Sequence, residues 1–227
     1  MEQIANPNLG HRERLRQRFL HAGPDAFADH EILELLLFGV IVRRDTKLIA
    51  KALLTRFKSL SGVLGAPLEA IKQVDGVGES VAIHLKSIQA IMLRSETDKL
   101  KSGPVLDSWS NLLNYVKISL AHETREYFRV LFLDKKLKLI ADELFGDGTI
   151  DHAPVYPREI ARRALELSSG SVILLHNHPS GDPKPSTQDI AITRKIIMAL
   201  QQLEVQVQDH LIVGQEGTTS MKALGLI

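Results

Sequence analysis

The hydrophobic period changes once along this chain, and that change restricts its fold more than any other feature. From residue 10 to about 94 the apolar residues recur at spacings of three and four: GHRERLRQRFLHAG at 10–23, DHEILELLLFG at 29–39, TKLIAKALLTRF at 46–57, and a set ending in IKQVDGVGESVAIHLKSIQAIMLR at 71–94. That spacing, with few β-branched alternations, predicts amphipathic helices and an all-α first half. The segment SETDKLKSGPVLDS at 95–108 is polar and contains Gly103 and Pro104, the composition of a linker. We place a helical domain over 1–98, a linker over 99–107 and a second domain over 108–227. A chain of 227 residues accommodates two small domains.

The second half has a different grammar. WSNLLNYVKISLAH reads as a helix, then EYFRVLFLD and LKLIADELF read as two antiparallel strands joined by a turn near Asp134–Lys136. YPREIARRALELSSG carries Pro157 in its first turn and closes at Gly170, as a helix does. SVILLHNH and VQVQDHLIVG are further strands. Mixed strands and helices in this order predict an α/β domain.

Composition excludes several functions. The longest apolar stretch, LLLFGVIV at 35–42, is far short of the roughly 20 residues a membrane span needs, and MEQIANPNLGHRER lacks the basic-then-apolar order of a signal peptide. With no cysteine the chain has no disulfide framework, thiolate cluster or nucleophilic thiol, so a cytoplasmic location is expected and any metal site must use His, Asp or Glu. A net charge of +1 points neither to nor away from a polyanionic partner.

The chemistry concentrates in HNHPSGDPKPSTQD at 176–189. His176 and His178 are two apart on a strand, so they share a face while Asn177 points away. Pro179 ends the strand, the loop turns through Gly and Pro, and Ser186 starts the next helix with Asp189 in its first turn. Two imidazoles and a carboxylate can converge there, leaving a fourth tetrahedral position open, as in a catalytic zinc site. Ser186 and Asp189 also form an ordinary capping box, which by itself explains both residues.

The pattern His176-x-His178, seven residues, Ser186, two residues, Asp189 resembles the JAMM (MPN+) metalloprotease motif, and the string HNHPSGDPKPS with Asp189 resembles the RadC family. Residues 104–227 resemble its JAB domain, a mixed sheet of the MPN and cytidine-deaminase-like type, and residues 10–94 the helical region that precedes it. The resemblance implies one zinc ion per chain held by His176, His178 and Asp189, with Ser186 stabilising an oxyanion. It also implies an upstream glutamate that handles the attacking water; Glu126 is the best match, with Glu143 and Glu123 as competitors. The implied reaction is hydrolysis of an amide or isopeptide bond in a peptide or protein substrate. Asp209 and His210 are candidates to orient a ligand. HNH nucleases, zinc deaminases and HExxH zincins are excluded, respectively, by the lack of a dispersed HNH set, of cysteine and of an HExxH string.

In the first half, VDGVGESVAIHL at 74–85 fits the turn of a helix-hairpin-helix motif, in which Gly76, Val77 and Gly78 would bring backbone amides to a DNA phosphate or a protein partner. Asp75 and Glu79 flank the glycines where DNA-binding hairpins more often carry Lys or Arg. Arg12, Arg14, Arg16 and Arg18 make a basic cluster spread around a helix. Two expectations follow: a zinc peptidase or isopeptidase, or a DNA-associated RadC-type repair or recombination accessory protein whose metal site is structural, nucleolytic or vestigial.

Overall fold

The first half is helical throughout its described length. The computed structural model describes residues 10–148 and 155–227, and residues 1–9 of the expected helical domain lie outside them. The chain divides into two compact units at residue 90/91. Helices α1 (His11–Ala22), α2 (Asp29–Leu37), α3 (Lys47–Phe57), α4 (Leu60–Gly65), α5 (Leu68–Lys72) and the start of α6 (Glu79–Lys101) make up the first. Their apolar faces meet in one core that includes Leu33, Leu37, Leu53, Ile71, Val81 and Leu85, as the three-four spacing requires. No described helix is long and apolar enough to cross a membrane.

The expected linker is not a free tether. α6 continues to Lys101, and a 3₁₀ turn follows at Val105–Asp107. Leu100 and Val105 are buried in the core of the second unit, and the Val105 amide bonds the Leu137 carbonyl at 2.8 Å. Gly103 and Pro104 end a helix rather than opening a flexible span. The division between units accordingly falls inside α6, upstream of residues 99–107.

The second unit is a five-stranded mixed sheet in the order β2-β1-β3-β4-β5: β1 (Tyr127–Leu133), β2 (Leu139–Asp147), β3 (Ser171–Asn177), β4 (Gln206–Gly214) and β5 (Gly217–Ser220). Among the described residues only β3 and β4 run parallel, joined by α9 (Thr187–Gln201), whereas β1 pairs antiparallel with β2 and β3, and β4 with β5. The β1–β2 turn falls where predicted, with Asp134 Oδ1 accepting from the Lys136 and Lys138 amides. β5 was not anticipated: four residues with no apolar alternation give no strand signal, and a two-residue turn after β4 creates it.

β3 is buried along its whole length, as befits the central strand of a sheet covered on both faces. Leu131, Leu133, Ile173 and Leu175 pack with α7 (Trp109–Leu120). Phe128, Val130, Phe132, Val172 and Leu174 pack on the other face with Ile160 of α8 (Pro157–Glu166) and Ile196 of α9. The carboxyl ends of the parallel pair and the start of α9 thus meet at one corner, where open α/β sheets commonly bind ligands.

Candidate metal centre

Strand alternation sets the first histidine. His176 follows Val172 and Leu174 on the α8–α9 face of β3, and Asn177 faces the other way. His178 lies one residue past the strand, held in register by its amide bonding the Val213 carbonyl at 2.8 Å. The loop then doubles back: Gly181 has φ +97, and its amide bonds the His178 carbonyl at 3.0 Å. At its end Ser186 caps α9. The Asp189 amide donates to Ser186 Oγ at 3.1 Å and the Ser186 amide to Asp189 Oδ2 at 2.7 Å, so the predicted capping box is present.

Four groups converge on this corner. His176 Nε2 lies 2.6 Å from Glu126 Oε1 and 3.5 Å from Asp189 Oδ1, and His178 Nε2 lies 3.3 Å from Asp189 Oδ2. Glu126, His176 and His178 each bring a ligand atom within 4.8 Å of one another. Both rings are fixed from behind by a backbone carbonyl, Tyr127 O at 3.1 Å for His176 Nδ1 and Asp182 O at 2.8 Å for His178 Nδ1. A carbonyl only accepts, so each Nδ1 carries the hydrogen and each ring directs its Nε2 at the centre.

That arrangement suits a cation. His176 Nε2 is buried and makes no hydrogen bond, despite the Glu126 oxygen 2.6 Å away. A buried ring nitrogen facing carboxylate oxygens is stabilised by positive charge between them, a proton or a metal ion. Two donors each about 2.0–2.1 Å from a tetrahedral zinc stand about 3.3 Å apart, close to the 3.5 and 3.3 Å from Asp189 to the two imidazoles. Glu126, 2.6 Å from His176, belongs with the two histidines to the N and O donors grouped at the centre. Two imidazoles and a carboxylate are the N and O donors a divalent transition metal takes, and these residues fit such an ion.

The electrostatics agree with the geometry. The Asp189 carboxylate raises the proton affinity of the His178 ring, against the opposing effect of burial. Burial pushes Asp189 up, but its bonds to His178 and Ser186 outweigh this and hold it well below the usual carboxylate range. Behind the centre, burial and the neighbouring His176 push His210 down to about 3, so it is neutral. The Thr193 hydroxyl donates to the Asp189 carbonyl at 2.5 Å and therefore accepts from His210 Nδ1 at 2.6 Å. Spacing alone gives no sign of this Thr193 bridge, because it joins the second turn of α9 to β4.

Of the three candidate glutamates, Glu126 reaches the centre. Glu143 is held by Arg163 of α8 through contacts of 2.6–2.9 Å, and Glu123 lies exposed in the turn after α7. Of the candidates Asp209 and His210, His210 lies beside His176 and Asp209 on the other face. The register shift beside Ile173 and the alternation of β4 put Asp209 across the sheet from His210, where it accepts from the Ser220 hydroxyl and from the amides of His210 and Lys222. It anchors the C-terminal turn.

In the helical unit Gly76 has φ +82, Val77 is buried and α6 begins at Glu79. A cleft of about 420 Å³ beside this turn is lined by Val40–Arg44, Gly78, Ser80 and Val81. Much of the basic cluster is engaged locally: Arg12 donates to the Ile41 and Arg44 carbonyls, Arg16 lies over Phe38, and Arg18 pairs with Glu31.

The family model described as RadC-like JAB domain matches residues 106–226, more than half of the chain and the whole of this sheet with its site. With a helical region first and a JAB-type mixed sheet after it, the chain belongs to the RadC family of JAB-domain proteins.

Proposed function

We propose that this chain is a zinc-dependent hydrolase of peptide or isopeptide bonds. The observation that carries the reading is the buried, hydrogen-bond-free Nε2 of His176, in reach of His178, Asp189 and Glu126. His176, His178 and Asp189 would hold the ion. The chemistry a bound zinc supplies is Lewis acidity, which polarises a carbonyl and makes water nucleophilic near neutral pH. Glu126 takes a proton from the attacking water and returns it to the leaving amine. Ser186 accepts from the Asp189 amide and so keeps its own O–H to donate to the developing oxyanion. The test is turnover of a peptide and isopeptide panel by zinc-loaded protein. Glu126→Gln should keep the zinc and lose about 10²–10⁴ in rate; equal rates for variant and wild type would remove Glu126 from the reaction.

A second reading is carried by Arg43, which lines the cleft beside Gly78 at the start of α6, next to Arg44, whose guanidinium donates to the Gly76 carbonyl at 2.8 Å. There the turn acts as the hairpin of a helix-hairpin-helix element and takes a DNA phosphate on the amides at the start of α6, the Val77 amide being bonded to the Val74 carbonyl at 3.0 Å. Phosphate contacts make binding fall steeply with salt. Duplex DNA binding by full-length protein that weakens at least tenfold between 50 and about 200 mM salt, and is reduced in Arg43→Ala, supports this reading; salt-independent or absent binding removes it.

A further inference from the structure

We propose that Asn177, the residue between the two site histidines, is a positioning residue that sets Glu126 against the metal centre. The inference rests on the reading of Glu126 given above. Asn177 lies on the opposite face of β3 from His176 and is 1% exposed. Its carboxamide reaches across to the entry of β1 and brackets Glu126 in the chain: Nδ2 donates to the Arg125 carbonyl at 2.8 Å, and Oδ1 accepts from the Tyr127 amide at 2.8 Å.

The backbone ladder between β1 and β3 ends at Phe128 paired with His176. Glu126 and Tyr127 therefore lie beyond its last rung, and the ladder holds Tyr127 on the β2 side alone, opposite Asp147. Asn177 supplies the missing rung from a side chain. His176 Nδ1 bonds the Tyr127 carbonyl, and the Gly148 amide bonds the Glu126 carbonyl at 3.0 Å. The polar backbone groups around Glu126 are thus tied to β3 and to the end of β2, and two of the ties are the Asn177 carboxamide. The same three residues of β3 and its extension, 176 to 178, present ligands on one face and fix the glutamate from the other.

The chemistry of the position is narrow. It requires one donor and one acceptor on a single short planar group. Aspartate keeps the acceptor but sets a carboxylate oxygen against the Arg125 carbonyl, and alanine has neither group. A loosened Glu126 would lose its 2.6 Å approach to His176 without any change in the ligands themselves.

The test uses full-length protein loaded with cobalt(II), whose visible absorption reports the surroundings of the ion. Wild type, Glu126→Gln, Asn177→Ala, Asn177→Asp and the double variant Glu126→Gln/Asn177→Ala are compared for cobalt stoichiometry and spectrum, with melting temperature recorded alongside. Asn177→Ala should bind about one cobalt and move the spectrum at least half as far as Glu126→Gln does, in the same direction. The double variant should overlay Glu126→Gln. Asn177→Asp decides the matter should Asn177→Ala not fold. Asn177 spectra identical to wild type, or a full additional shift in the double variant, would overturn the inference alone, because a purely structural asparagine lowers melting temperature independently of Glu126. Wild type that takes no cobalt, or Glu126→Gln with an unchanged spectrum, overturns the underlying reading and this inference with it.

Discussion

Replacing Gly214 by alanine should damage the metal centre without touching a ligand. A Cβ at 214 would stand 2.0 Å from the Gly181 carbonyl oxygen, 2.6 Å from its carbon and 3.2 Å from the Asp182 carbonyl carbon. Non-bonded heavy atoms rest about 3.5–4.0 Å apart, so strand or loop must give by more than about 1 Å. The groups in the way are backbone, which has no flexible end to swing aside. The loop that moves carries Asp182, whose carbonyl holds His178 Nδ1 at 2.8 Å, and Gly181, whose carbonyl accepts from the Glu216 amide at 3.1 Å. Losing the partner behind a metal-binding histidine typically weakens affinity about 10–100-fold. The overpacking itself costs about 1–3 kcal/mol, a fall of about 2–4 °C in melting temperature per kcal/mol for a chain of this size. The assay is zinc competition against a chromophoric chelator, run beside thermal melting. Gly103→Ala is the control, since its Cβ meets nothing within 4 Å. Gly214→Ala with wild-type zinc affinity and stability would refute the claim that this contact locks the His178 loop.

Two other substitutions probe separate links. Thr193→Val removes the hydroxyl between the Asp189 carbonyl and His210 Nδ1 and leaves a buried donor unpaired; we expect a loss of about 1–3 kcal/mol in urea unfolding, and an unchanged midpoint would show that His210 does not depend on it. Gly76→Ala places a Cβ 3.0 Å from two carbons of Ile49 at φ +82; hydrogen exchange in α3 and α6 should rise as the helical unit loses about 1–3 kcal/mol, and unchanged protection there would show that the turn tolerates a side chain.

What could be read from the sequence and what could not follow from the range of each signal. The positions of His176, His178 and Asp189 follow from rules acting within a few residues, strand alternation and a helix cap, so their convergence was legible. Glu126 lies 50 residues from His176 and is brought to it by the end of the β1–β3 pairing and the Asn177 carboxamide; its place at the entry of a strand makes it the best match over Glu123 and Glu143, and the fold shows that it reaches the centre. Arg163, 20 residues beyond Glu143, removes that competitor by occupying its carboxylate. Asn177 points away from the histidines, as strand alternation predicts, but its partners are backbone atoms of Arg125 and Tyr127, which carry no side-chain signature. Asp209 and His210 are adjacent in sequence, and the sheet separates them because neighbours in a strand face opposite ways. Residues 99–107 show the limit of composition: polar letters marked the end of α6, while Leu100 and Val105 still pack in the core.

The most direct test of the central claim is elemental analysis of untagged, purified protein, with His176→Ala and Asp189→Ala prepared in parallel. The account predicts about one zinc per chain in wild type and loss of it in both variants, with folding retained by circular dichroism. Wild type that holds no zinc after reconstitution, or variants that keep a full equivalent, would contradict it.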